Sequence, residues 1–418
     1  MSAEPIPLLI VEDSPVYAEI LARLLPSLGA DLRFNATWVD TGERALEEIN
    51  RHAYQLVLLD YKLPGLDGLA VLASIRGLPQ DNQPAVIMLT GMGREEVAVQ
   101  AMKSGAKDYL PKDSIDVPSL LRAITSALDR KRLERQLLVS TEELRLKNQE
   151  MRADLDMARE IQEAFLPQQY PSFPANAAPK ESALRFYHRY RPTSAVGGDF
   201  FDVIALSDTE AGVFICDVMG HGVRAALVTA MVRGWVDELK PAGSDPGRFL
   251  TEINRRLVST LRQTRMPMFV SAFYMVVDVA GRELRYAGAG HPSPLHLRCD
   301  AGQVEPLRFD EGKPGPALGV FEDSVYPTAR RPLAAHDVVM LFTDGLFEVD
   351  SVGEEQYGQE RLLAAVRQRV RRPLAGLFDE LLEDIQRFSG HAEFVDDVCL
   401  VGIEAVRVGE AAAERPAA

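Results

Sequence analysis

The stretch Leu56–Gly68, LVLLDYKLPGLDG, sets four consecutive apolar residues before an aspartate and then breaks into a turn rich in Pro and Gly. An apolar run of that length, closed by turn residues, reads as a fully buried strand with Asp60 at its carboxyl end. LLIV at 8–11, VIML at 86–89 and DYL at 108–110 repeat the pattern on either side, separated by segments of helical period. Repeated β-α units predict an α/β fold over residues 1–127, a doubly wound parallel sheet whose ligands collect at the carboxyl ends of its strands. Glu12 and Asp13 follow the first run, Asp60 the second, Thr90 the third and Lys112 the last. Three carboxylates there suit Mg²⁺, and the hydroxyl and ammonium complete a phosphoryl-transfer site with an aspartate nucleophile.

At 418 residues the chain exceeds what one core supports, so a second domain is expected. Lys and Arg number 46 against 61 Asp and Glu, a net charge of −15 that disfavours nucleic acid and anionic membranes as partners. Cys216, Cys299 and Cys399 lie far apart, which argues against a disulfide framework or a zinc knuckle and fits a reducing cytoplasm. No stretch approaches the roughly 20 apolar residues of a membrane span, and no export signal is read at the start.

Residues 129–166 mix nine acids with eight bases and contain neither Gly nor Pro, which predicts one continuous helix. The linker so defined, over 128–167, carries Leu137, Leu144, Met151, Ala158 and Phe165 at a seven-residue spacing. The other seam position is mostly polar (Thr141, Asn148, Leu155, Gln162), so self-pairing as a coiled-coil homodimer would be weak or switchable. A lone amphipathic strut is the plainer alternative. Prolines at 167, 171, 174 and 179 then mark a loop.

Residues 180–405 are strand-dominated: extended runs at 185–190, 212–216, 269–279, 337–342 and 398–404, with helical stretches near 222–239, 246–262, 359–370 and 375–388. Strands that follow one another without a helix predict an α+β domain, a β-sandwich flanked by helices. The last residues, 406–418, read as a flexible tail. Aspartates recur in four turn-like contexts: VGGDFFD (Asp199, Asp202), ICDVMGHG (Asp217), FTDGLFE (Asp344) and FVDDVCL (Asp396, Asp397). Singly, an Asp-Gly pair is more often a turn than a ligand. Together they suit a pair of hard divalent ions that activate a shared water and clamp a phosphoryl group.

Through IVED, LLDYKLPGLDG, MLTG and DYLPK, residues 6–127 resemble the receiver domain of bacterial response regulators. That resemblance implies Asp60 as phosphoacceptor, Glu12 and Asp13 as carboxylates of a Mg²⁺ site, Lys112 as partner of the acyl phosphate, and Thr90 with Tyr109 as switch pair. It also implies a sensor histidine kinase or phosphotransfer protein as donor. One departure is that Pro111 precedes the lysine and Asp113 follows it, where the family commonly has proline after it.

Residues 180–405 resemble metal-dependent serine/threonine phosphatases related to phosphatase 2C, in their bacterial stress-response and sporulation branch. The likeness is carried by GGDFFD, DVMGHG, AGAGHPSPL, GPALGV, TDGLFE and DDVCLV, and by AREIQEAFLP in the connector. It implies two Mn²⁺ or Mg²⁺ ions. Asp217 would bridge them and Val218 would bind through its carbonyl. Asp344 and Asp396 would hold the first ion, Asp199 the second, and Asp397 would be a weaker ligand. His221 suits the acid for the leaving serine oxygen or, equally, a structural histidine beside its tight glycine turn, and His291 suits a hydrogen-bonding role in its loop ahead of one in shaping the site. The implied substrate is a phosphorylated anti-sigma factor antagonist.

Two other readings compete. A noncatalytic adaptor with this fold would only grip a partner, yet the four carboxylates are retained, and their mutual repulsion without metal is costly. GGDFF also approaches the GGDEF signature of diguanylate cyclases, but Phe200 stands where that signature needs an acid.

Overall fold

The computed structural model describes residues 4–29, 32–91, 95–262, 268–309, 314–391 and 393–409. It divides into two compact units, 1–149 and 150–418. In the first, β1 (Ile6–Val11), β2 (Phe34–Val39), β3 (Leu56–Asp60), β4 (Ala85–Thr90) and β5 (Asp108–Pro111) form a parallel sheet of order β2-β1-β3-β4-β5. Helices α1 (Pro15–Leu24), α2 (Gly42–Arg51), α3 (Gly68–Arg76), α4 (Glu95–Lys103) and α5 (Val117–Glu163) follow the strands. Every residue of β3 is buried, because both faces of the sheet are covered. Leu8, Ile10, Leu56 and Leu58 enter one core, and Leu9, Val11, Val57 and Leu59 the other. The strand order reverses between β1 and β3, which pairs Val11 with Leu59 and opens the ligand crevice beside Glu12 and Asp60.

The helix read over 129–166 is continuous with the last helix of the first unit, a single α5 running from Val117 to Glu163. Ala123, Ile124 and Ala127 bury against the first core, and nothing in the sequence stops the helix there. Leu137, Leu144 and Met151 are 69%, 59% and 56% exposed, as an apolar seam without an intramolecular partner would be. The seam stops short of its expected end, since Gln162 is buried and Phe165 packs on the core of the second unit.

In the second unit two five-stranded antiparallel sheets stack. The strands are β6 (Leu184–Arg191), β7 (Phe200–Ala205), β8 (Glu210–Val218), β9 (Val270–Asp278), β10 (Glu283–Ala289), β11 (Leu295–Arg298), β12 (Gln303–Pro306), β13 (Ala329–Pro332), β14 (Asp337–Phe342) and β15 (Val398–Ala405). Their orders are β13-β10-β9-β8-β7 and β12-β11-β14-β15-β6. Side chains alternate: Val213 and Ile215 of β8 face the core between the sheets, while Phe214 and Cys216 face the helices α6 (Val223–Leu239) and α7 (Pro246–Leu261). Helices α8 (Gly358–Arg369) and α9 (Leu374–Ser389) cover the other sheet.

The first residues of the expected tail are tied down. Val406 donates its N–H to the Ala183 carbonyl and Gly409 to that of Val279, each at 2.8 Å. Residues 410–418 lie outside the described residues.

Candidate active site

In the first unit the crevice gathers the side chains that follow β1, β3 and β5. One oxygen from each of Glu12, Asp13 and Asp60 lies within 4.8 Å of the others. Glu12 and Asp60 are buried and Asp13 is exposed. Lys112 Nζ reaches Glu12 Oε2 at 2.6 Å and Asp60 Oδ2 at 2.8 Å, despite its altered flanking sequence. Burial raises the pKa of both buried carboxyls, opposed by their hydrogen bonds to Lys112. Burial would lower Lys112, but the bonds to Asp60 and Glu12 prevail and raise it. The Tyr17 ring lies 4.9 Å from Lys112 Nζ, a contact that no sequence signal announced. Thr90 is buried at the end of β4, and Tyr109, on the adjacent strand, is 43% exposed.

In the second unit three loops and the end of β8 bring their carboxylates toward one region. Asp199 precedes β7, Asp217 lies near the end of β8, Asp344 opens the turn after β14, and Asp396 precedes β15. Burial lifts the Asp199 carboxyl well above its usual range, with Asp217 the next cause. Asp217 is pushed up to about 7 by burial and by the charges of Asp344, Asp396 and Asp397. Asp344 is raised by burial and by Asp396. No Lys or Arg stands among the main causes at Asp199 or Asp217, in contrast to the first site. Mutually repelling, partly buried carboxylates without a basic partner are a donor set suited to hard divalent cations.

Among the described residues no three of these carboxylates close to the 4.8 Å spacing seen around Asp60. Two of the acids in this region have other partners. Asp199 Oδ2 accepts from Thr343 Oγ1 at 2.7 Å. Asp397 accepts from Thr193 N and Oγ1 through Oδ1, and from Gly198 N through Oδ2. Asp397 thus spends its oxygens holding the loop that carries Asp199. Asp202 lies apart from this group: it is buried on β7, and burial raises its carboxyl against the charge of Lys240.

Close backbone approach explains the glycines. A Cβ on Gly198 would fall 2.7 Å from the Val218 carbonyl oxygen, and one on Gly345 2.1 Å from that of Asp397. His221 is exposed ahead of α6 and makes no side-chain hydrogen bond to a described residue. Val218 is buried, with its N–H on the Gly198 carbonyl at 3.3 Å.

Two contributors escaped the sequence reading. Gln162, placed there in the helix seam, donates Nε2 to the Gly197 carbonyl at 2.7 Å and accepts the Gly197 N–H at 2.8 Å. The only hint was AREIQ itself, read as connector. Glu348 donates its N–H to the Asp344 carbonyl, and its carboxyl is raised by burial and by Asp344 and Asp396. Its place four residues after Asp344 in TDGLFE was the available signal.

His291 is buried, with Nδ1 2.9 Å from Ser271 Oγ, and burial pushes its pKa down to about 3. The unfolded chain then takes up a proton below pH 6.5 that the folded chain refuses until about pH 3, so stability falls as pH drops through that window. Denaturant midpoints for the parent and His291→Gln should converge in slope above pH 7 and separate below about 6.5, the parent losing more. Parallel pH profiles for the two chains would refute this.

Residues 8–125 match the response regulator receiver domain, and residues 207–406 match the family described as stage II sporulation protein E. The phosphoserine phosphatase RsbP of Bacillus subtilis is 24% identical over 51% of this chain and 51% of its own length. The phosphoserine phosphatase RsbU of the same organism is 24% identical over 59% of this chain and 69% of its own. The chain thus spans about half of RsbP. The SiaA-PP2C domain of Pseudomonas aeruginosa aligns with a TM-score of 0.53 and 26% identity, covering 62% of this chain and 98% of that one.

Proposed function

We propose, from a chain that joins a receiver domain to a domain of the SpoIIE phosphatase family, that phosphorylation of Asp60 controls hydrolysis of phosphoserine or phosphothreonine on a protein substrate. The observation that carries this reading is that burial and neighbouring carboxylates, Asp396 among them, raise Asp199, Asp217 and Asp344, with no Lys or Arg prominent among the causes. Asp217 would bridge two ions, with the Val218 carbonyl, Asp344 and Asp396 on one side and Asp199 on the other. Asp397 serves mainly to hold Gly198 and Thr193. When bound, Mn²⁺ or Mg²⁺ would supply a water of lowered pKa and neutralise charge on the phosphoryl oxygens. His221, exposed and without a side-chain hydrogen bond to a described residue, would protonate the departing seryl oxygen.

In the receiver, Glu12 and Asp13 with Asp60 would hold Mg²⁺, and Lys112 would move from its present carboxylate partners to the acyl phosphate. The donor is a sensor histidine kinase or phosphotransfer protein, and Thr90 with Tyr109 transmits the change. The substrate class is a phosphorylated anti-sigma factor antagonist, supported by the likeness to RsbU and RsbP. The exposed Leu137, Leu144 and Met151 seam would pair two copies as a homodimer. A cytoplasmic site of action without nucleic-acid or membrane partners is supported by the acidic balance of the chain; among the described residues no helix is long and apolar enough to cross a membrane.

Acetyl phosphate with Mg²⁺ should label the full chain once, and Asp60→Asn should abolish both the label and its effect on turnover. Labelling that survives Asp60→Asn would place the phosphoacceptor elsewhere. A noncatalytic adaptor would bind the phosphorylated antagonist in Mn²⁺ without releasing phosphate.

A further inference from the structure

At the sheet edge opposite Asp60, a cleft of about 470 Å³ separates α5 from the ends of α3, α4, β4 and β5. Its place follows from the parallel sheet: Pro84 and Lys107 directly precede β4 and β5, and Arg76 and Lys103 close α3 and α4. Arg76, Lys103, Lys107, Arg130, Lys131 and Arg135 line it, against only two acids, Asp81 and Glu134. In a chain of net charge −15 that local excess of cations needs a reason.

Arg76 and Lys103 have one, since each sits in a last helical turn, where a cation complements the negative end of the helix. Arg130, Lys131 and Arg135 lie inside α5, away from any helix end; Arg130 donates Nη1 to the Lys107 carbonyl at 3.0 Å, which leaves its other guanidinium donors for a ligand. The two acids do not neutralise the group. Lys107 Nζ pairs with Glu134 at 2.6 Å, and Arg135 reaches Asp81 at only 3.8 Å in an exposed pair. Lys131 is half-buried and has no carboxylate partner among the described residues. Its ammonium is disfavoured by burial and by Arg135 and Lys107. A partly desolvated ammonium facing two other cations is costly unless an anion joins it.

We propose that this cleft binds a small polyphosphate anion, its phosphates held by Lys131, Arg130 and Arg135, with Leu138 and Met102 at its apolar border. The volume suits a ligand of nucleotide size. Several cations around one pocket suit linked phosphates better than a single carboxylate. Bound there, the anion would brace residues 130–138 of α5 against the ends of α3 and α4. The inference is independent of the phosphatase reading, because every residue it uses lies in the first unit.

The test is calorimetric titration of the full chain in EDTA with sodium triphosphate, ATP and a polyglutamate peptide. Saturable binding of triphosphate or ATP is expected, weakened about tenfold or more in Lys131→Gln/Arg135→Gln and unchanged in Asp60→Asn. Tighter binding of ATP than of triphosphate identifies a nucleotide, and equal binding an inorganic polyphosphate. Arg130→Gln provides a second, single-site variant with the same expected direction. The proposal is overturned by absence of saturable binding, by binding undiminished in both variants, or by polyglutamate binding as tightly as triphosphate, which would mark a surface for an acidic protein segment.

Discussion

Asp217→Asn in the full chain lowers Mn²⁺-dependent hydrolysis of a phosphoserine substrate by at least about a hundredfold, since even residues behind a ligand commonly cost 10- to 100-fold. The same change should leave the metal-free fold at least as stable as the parent. The Asp217 carboxyl is raised to about 7 by burial and three neighbouring acids, so its ionised form opposes folding. The sign is the reverse of the usual aspartate case. The folded chain holds its proton more tightly than the unfolded chain, so the cost is full above about pH 7 and is relieved as pH falls toward 3.8. Asparagine removes the charge at nearly constant shape. Metal-free thermal midpoints at pH 8 should therefore be equal or higher in the variant, with the difference closing near pH 4. Inactivity accompanied by a lower midpoint at pH 8 would trace the loss to folding. Parent-like turnover would remove Asp217 from the chemistry altogether.

Gln162→Ala should cost both stability and activity although Gln162 is none of the proposed metal ligands. Its amide makes a reciprocal pair of hydrogen bonds with Gly197, the first residue of the GGD turn. Truncation strands a buried N–H and a buried carbonyl, each at about 1–3 kcal/mol. The Gly197–Asp199 segment is fixed at its other side by Asp397 on Gly198 and by Thr343 on Asp199. Loss of Gln162 should therefore loosen rather than dissolve the loop. The signature is a raised Mn²⁺ requirement, with turnover partly recovered at high Mn²⁺, and rescue by Gln162→Glu should fail because a carboxylate cannot donate to the Gly197 carbonyl. A variant whose Mn²⁺ dependence matches the parent would reduce Gln162 to a packing residue.

Much of the architecture could be read from the order of residues, because burial writes itself into composition. A strand covered on both faces must be apolar throughout, which is why LVLL before Asp60 and VCLVG after Asp397 announced themselves, and why carboxylates just beyond such runs had to lie at strand ends. What the order of residues could not supply were contacts made when separate elements pack. Gln162 shares the helical texture of its exposed neighbours, and only its burial against a loop 35 residues away distinguishes it. Lys131 reads as one base in a mixed-charge helix until α5 passes the ends of α3 and α4. Helical period fixes which residues share a face, but what that face meets depends on the packing of segments distant in the chain, and it is there that a side chain's solvation, and hence its chemistry, is decided.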